Sequence, residues 1–276
     1  MPYVNVNGIE VFYYDDDLSD PWRARDTILI NHYGAGDSTL YNRWVLPLAG
    51  DYRVIRWDRP GYGRSETPAF GYRITVDSFV RDIVGFLDAL GLEKVHYVGD
   101  KAASAAGLAF AAAHPGRVQS LTLAACPLSG RRVRDIFLAD AAGAIAKGAW
   151  VAAFDTPSGG RTLGSGAEAL QDAYYRTAKS RIAPHVFAAA VRCVADPSFD
   201  LEPLLPKVAA PTLLLSPDEE DPLVTQHDQQ LIADRVPSCE RIVLPGSSMH
   251  FPFTDAVWCA EQVHAFVGGH ATHPPA

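Results

Sequence analysis

The run Val95-His96-Tyr97-Val98-Gly99-Asp100-Lys101-Ala102-Ala103 reads as a strand, a sharp turn and the start of an alanine-rich helix, with Lys101 at the apex. An amine at that place restricts the chemistry. If charged, it can clamp a developing negative charge or act as a general acid. If neutral, it can form a Schiff base with a carbonyl compound. It cannot run the ester cycle of a hydroxyl nucleophile, because an amine attacking an ester leaves an amide, which resists hydrolysis. The positive end of the helix and burial both disfavour an ammonium, whereas Asp100 beside it favours one. Bringing a lysine down from a pKa of about 10.4 costs about 1.4 kcal/mol per pH unit, so the charged form is expected.

The elements that must position this turn follow from the hydrophobic pattern. Residues 2–14 and 27–32 read as strands, with a polar turn at Asp15-Asp16-Asp17 between them, and Val54-Ile55-Arg56-Trp57 as another. Helix 75–90, strand 94–98, helix 102–113 and strand 118–124 alternate after that. Strand 211–216, helix 226–235, strand 240–244 and helix 255–267 resume the pattern. This alternation predicts an α/β fold with a mainly parallel sheet and helices on both faces. Residues 128–205 break the rhythm: helical patterns at 133–154, 167–180 and 184–195 have no strand between them, and a Ser/Gly-rich stretch covers 156–166. They read as a helical cap, so the expected organisation is core 1–127, cap 128–205 and core 206–276. The tail 268–276, with His270 and His273, is expected to be frayed and solvated.

Composition narrows the function classes. The chain has 276 residues, a net charge of −8 and 48% hydrophobic content. That charge removes the electrostatic attraction on which nucleic-acid or anionic-membrane binding rests. An uncharged or cationic small molecule is the expected partner. No apolar stretch is long enough to span a bilayer and the first residues lack the basic start of a secretory signal, so a cytoplasmic location is expected. Cys126, Cys193, Cys239 and Cys259 are dispersed and read as buried free thiols. No metal-ligand cluster or phosphate-cradling glycine motif occurs, so no metal or organic cofactor is implied.

Five ordered segments resemble the α/β-hydrolase family: Asn31-His32-Tyr33-Gly34-Ala35-Gly36, Asp58-Arg59-Pro60-Gly61-Tyr62-Gly63-Arg64-Ser65, the Lys101 turn, Asp218-Glu219-Glu220-Asp221-Pro222, and Gly246-Ser247-Ser248-Met249-His250-Phe251-Pro252. The resemblance implies an eight-stranded, mostly parallel sheet with an inserted helical cap. It also places Lys101 where the family carries its nucleophile, in the order nucleophile, acid, histidine. His114-Pro115-Gly116-Arg117-Val118 downstream agrees with that register. By the same resemblance His250 is the catalytic histidine and Asp221 the carboxylate that orients it, with Asp218, Glu219 and Glu220 as alternatives in the same loop. Oxyanion donors would be the amides of Gly34 (or Tyr33) and Ala102, with Tyr33 narrowing the pocket where the family has glycine and Asp100 beside the amine.

Three functions remain open on these residues. One is an enzyme acting on a small carbonyl compound by C–C cleavage, decarboxylation, elimination or cyclisation, with proton transfer by His250. The second is a non-catalytic binding protein on the same scaffold. The third is an ester or lactone hydrolase in which His250 activates water directly. The substrate pocket is expected between the turn and the cap, lined by Tyr33, Phe137, Trp150, Phe154 and Phe187.

Overall fold

The computed structural model describes residues 2–130, 177, 180–196, 198–221 and 223–273. Its eight strands form one sheet in the order β1-β2-β4-β3-β5-β6-β7-β8. These are β1 (Tyr3–Val6), β2 (Ile9–Asp16), β3 (Thr27–Asn31), β4 (Arg53–Trp57), β5 (Val95–Asp100), β6 (Val118–Ala124), β7 (Thr212–Pro217) and β8 (Cys239–Leu244). Strand β2 runs antiparallel to both β1 and β4, and all pairings from β4 to β8 are parallel. Every residue of β3, β5 and β7 is buried. Such strands are covered on both faces, and their near-continuous apolar sequences follow from that.

One expectation about the first strands is corrected. The segment 2–14, read as one strand, is split by a turn at Asn7-Gly8, where φ is 53° and 90°, and Asp15 and Asp16 lie in the strand rather than in the turn that follows it. Positive φ at two successive residues is the geometry of a tight hairpin, which Asn-Gly accommodates at low cost. Strand β2 continues through Asp15 and Asp16 because β4 supplies counter-charges: Arg53 bonds Asp15 at 2.7 Å and Arg56 bonds Asp16 at 2.7 Å.

Helices α1 (Asn42–Ala49) and α7 (Ala256–Gly268) cover one face of the sheet, and α2 (Val76–Ala89) and α3 (Ala102–Ala113) the other. Helix α1, which contains Pro47, is missing from the sequence-based elements; Pro47 breaks the pattern of a helix only 8 residues long. Helix α2 starts with a reciprocal capping box between Thr75 and Ser78. Between β6 and β7, α4 (Pro184–Val194) matches the helix expected at 184–195. The patterns at 133–154 and 167–180, the stretch 156–166, and Phe137, Trp150 and Phe154 lie outside the described residues, Thr177 and Ser180 aside. One isolated bridge, Tyr62 to Ile182, stitches the insert to the core, and a second, Ser129 to Asp200, ties the two ends of the insert to each other. Helices α5 (Gln226–Arg235) and α6 (Phe251–Thr254) complete the order.

The tail also departs from expectation. The amides of Thr272 and His273 donate to Asp26, and Gln119 bonds the carbonyl of His270, so these residues are fastened to the sheet although their side chains are exposed. Among the described residues, no helix is long and apolar enough to cross a membrane.

Candidate active site

The candidate groups meet at one edge because parallel strands deliver their C-terminal ends to the same side. Strand β3 leads into residues 32–36, β5 into Lys101, β7 into the 218–225 loop and β8 into His250. Lys101 has φ 52° and ψ −110°, a conformation that costs a non-glycine residue on the order of 1–3 kcal/mol. The surroundings hold it there. The Lys101 amide donates to the Ala124 carbonyl at 2.9 Å. The Ser104 hydroxyl accepts from the Ala124 amide at 3.0 Å and lies 2.7 Å from the Gly99 carbonyl. Gly99 has no alternative, since a Cβ there would come within 2.5 Å of the Ala103 carbonyl oxygen.

Lys101 is only 5% exposed. Its Nζ lies 3.0 Å from Asp100 Oδ1 and 4.3 Å above the centroid of the Tyr33 ring. The carboxylate pairs with the lysine head group and the ring face covers it. Tyr41, a residue that sequence reasoning missed, holds the other oxygen: its hydroxyl donates to Asp100 Oδ2 at 2.9 Å. The same hydroxyl accepts the Tyr33 amide at 3.1 Å. Of the two amides proposed for the 32–36 loop, Tyr33's is therefore occupied. Neither Gly34 nor Ala102 directs its amide to any described residue, and both line the cavity above Lys101.

That cavity has a volume of about 80 Å³. Lys101 is its only charged lining residue among those described; Tyr33, Phe187, Val191, Leu223 and Met249 form much of the wall. Two of the five expected aromatic lining residues, Tyr33 and Phe187, are thus in place. His250 is buried and packs edge-on against Tyr33, with ring centroids 6.0 Å apart. Burial first, and the Lys101 charge second, push its pKa well below 6.5. The imidazole is neutral at pH 7 and can accept a proton.

Asp221 is not brought onto His250. Its Oδ1 accepts the Leu223 amide at 2.7 Å, inside its own loop. Burial raises its pKa, with the Lys101 charge acting in the opposite direction. Two of the three alternatives bond elsewhere: Asp218 accepts the Gly246 amide at 2.9 Å and Glu220 that of Gln226 at 3.1 Å. The histidine loop is anchored from the other side instead. Trp44 packs against Tyr41 at 5.7 Å and donates to the Pro252 carbonyl at 2.9 Å.

A second arrangement lies behind the Tyr33-Gly34 peptide. His32 Nε2 accepts the Arg59 amide at 3.1 Å, so Nδ1 carries the proton and donates to the Tyr33 carbonyl at 2.7 Å. Arg59 Nη2 donates to the same carbonyl at 3.3 Å, and the Gly36 amide also reaches it at 3.3 Å. Three donors on that carbonyl fix the peptide plane and polarise the Gly34 N–H on its far side. Both residues were visible in the quoted motifs, but nothing in the sequence indicated that they act on one carbonyl.

The comparisons agree with this architecture. A family model described as alpha/beta hydrolase fold matches residues 26–256. The chain is 34% identical over 110 residues to a protein named "Putative carbamate hydrolase RutD" from a Caulobacter species, covering 40% of this chain and 41% of that protein. It is 36% identical over 122 residues to a 2-hydroxy-6-oxo-2,4-heptadienoate hydrolase of Pseudomonas putida, covering 44% of this chain and 42% of that one. The matched stretch thus spans about two-fifths of each of these relatives. Among solved structures, an enol-lactonase from Burkholderia xenovorans superposes with a TM-score of 0.81 at 21% identity, over 96% of this chain and 99% of that one.

Proposed function

The chain belongs to the alpha/beta hydrolase fold family, and from that premise we propose an enzyme acting on a small, uncharged carbonyl compound through Lys101 and His250, with no serine nucleophile. The single observation that carries this reading is convergence. Lys101, Gly34 and Ala102 line one small, otherwise apolar cavity, and among the described residues neither the Gly34 nor the Ala102 amide has a hydrogen-bond partner. Donors gathered where water is scarce stabilise an oxygen that gains negative charge, whether an enolate or a tetrahedral oxyanion. The relatives named for oxo-dienoate hydrolysis support a carbonyl substrate.

In this mechanism the substrate carbonyl oxygen sits among the three donors. During turnover Lys101, paired with Asp100, stabilises the developing oxyanion. His250, held neutral by burial and by the Lys101 charge, removes a proton from the substrate or from water. Asp221 contributes its field and the shape of its loop, since its hydrogen bonds stay within that loop. C–C cleavage, elimination and cyclisation can use this pairing of base and oxyanion site, and decarboxylation can use the oxyanion site alone.

One observation favours a binding protein instead: Asp100 already neutralises Lys101, which suits a static pocket. Two variants separate the readings. Lys101→Ser is expected to turn over p-nitrophenyl esters, because the amides and His250 are in place for a hydroxyl nucleophile. Lys101→Ala and His250→Ala are expected to bind a confirmed carbonyl ligand yet lose its conversion by about 100-fold or more, the size of effect seen when an oxyanion donor or proton acceptor is removed. Equal ligand binding with no turnover by any form of the protein would establish the binding role.

A further inference from the structure

We infer that Lys101 is a self-acylation site: the cavity drives one transfer of an acyl group from a small activated ester or lactone onto its own lysine and then stops. The inference rests on the reading that this cavity is a reaction centre, but it adds an activity distinct from turnover. Its basis is geometric. The turn between β5 and α3, at φ 52°, sets Lys101 into the lining of a cavity that Gly34 and Ala102 also line, and neither of their amides has a hydrogen-bond partner among the described residues. Those two amides would receive the oxygen of a tetrahedral intermediate formed by attack of Nζ on an acyl carbon. The cavity, about 80 Å³ and largely apolar, admits a short uncharged acyl group.

The step balances without a co-reactant. The ammonium first loses a proton to solvent. The free amine attacks the carbonyl carbon, a C–N bond forms, and the π electrons move to the oxygen held by the amides. His250 takes the surplus proton from nitrogen. As the tetrahedral centre collapses the C–O bond to the leaving group breaks, and the imidazolium returns its proton to the departing alkoxide. The products are an N-acyl-lysine and an alcohol; with a lactone the hydroxyl stays on the acyl chain. The amide is the end point, because a second cycle would have to hydrolyse it.

The test uses the full-length protein and p-nitrophenyl acetate. The chain has four other lysines, Lys94, Lys147, Lys179 and Lys207, which serve as internal controls. The expected result is a burst of one equivalent of p-nitrophenolate, a mass gain of one acetyl group and peptide mapping of that group to Lys101. Lys101 should react about 100-fold faster than the other four, the effect of a working oxyanion site. The burst should vanish in Lys101→Met and slow in His250→Gln, with circular dichroism showing both folded. Should either variant unfold, the ratio among the five lysines in the wild type still decides the matter. Acetylation of Lys101 no faster than of the others would overturn the inference, as would many turnovers with Lys101 unmodified. Ester turnover by Lys101→Ser alongside an inert wild-type Lys101 would reject self-acylation while leaving the reaction centre intact.

Discussion

At the scale of single residues, the site depends on side chains that hold backbone in place. Tyr41 uses one hydroxyl twice, as donor to Asp100 and as acceptor of the Tyr33 amide. Tyr41→Phe leaves two buried polar groups without that partner and should cost about 1–3 kcal/mol, read from urea unfolding, with little change in overall shape. Arg59 is 3% exposed and its guanidinium lies over the rings of Tyr62 and Phe79, 4.7 and 5.3 Å from their centroids. Burial first, and the Arg59 charge second, hold the His32 pKa well below 6.5. In Arg59→Leu the second cause disappears, so the His32 pKa should move upward, measurable by NMR titration of its ring protons; an unchanged value would remove Arg59 from the account of that loop.

At the scale of elements, the β5-turn-α3 unit is the rigid part. Helix α3 is buried over nearly its whole length and is built from small residues, which lets it lie close against the sheet. A Cβ on Gly107 would come within 2.2 Å of the Tyr97 ring. At Gly99 the obstacle is backbone, the carbonyl of Ala103, which cannot rotate aside as a ring can. Gly99→Ala should therefore destabilise by about 3 kcal/mol or more, at or above the upper end of ordinary overpacking. Gly116→Ala, with nothing within 4 Å, is the control and should stay within about 0.5 kcal/mol. Denaturant midpoints of the two variants test the contrast. The α4 contact works similarly: Gly61, at φ 81°, faces Val186 so closely that a Cβ would approach it to 2.6 Å.

At the scale of the whole molecule, three buried histidines set the response to acid. His32, His96 and His250 all have pKa values pushed below 6.5, in each case with burial as the first cause. The unfolded chain would take up protons near 6.5 that the folded protein refuses, so stability is fully present above that pH and is lost as pH falls below it. Each histidine contributes a slope of up to about 1.4 kcal/mol per pH unit between 6.5 and its folded pKa. The carboxyls of Asp58, Asp82 and Asp221 are raised above 3.8, mainly by burial, and act in the opposite sense nearer that value. Thermal unfolding followed from pH 7.5 downward should show Tm falling below 6.5, with a shallower fall in His250→Gln. A flat profile across that range would contradict the neutral, buried state assigned to these rings.

The sequence by itself determined the six parallel strands β3–β8 in chain order and the position of Lys101 between β5 and α3, because continuous apolar runs and strand-turn-helix spacing are local signals. It also gave the residues of the 32–36 and 58–65 loops, since glycine at a tight turn is required by backbone sterics. The hairpin at Asn7-Gly8 could have been read locally, but the run of aspartates drew the assignment away; their counter-charges on β4 exist only after folding. Only the tertiary structure decided which polar atoms meet. It placed Tyr41 between Asp100 and Tyr33, turned Asp221 toward its own loop, and set His32 and Arg59 on one carbonyl. Those contacts join residues far apart in the chain, and a hydrogen bond depends on distance and direction in space, which no periodicity of residue types records.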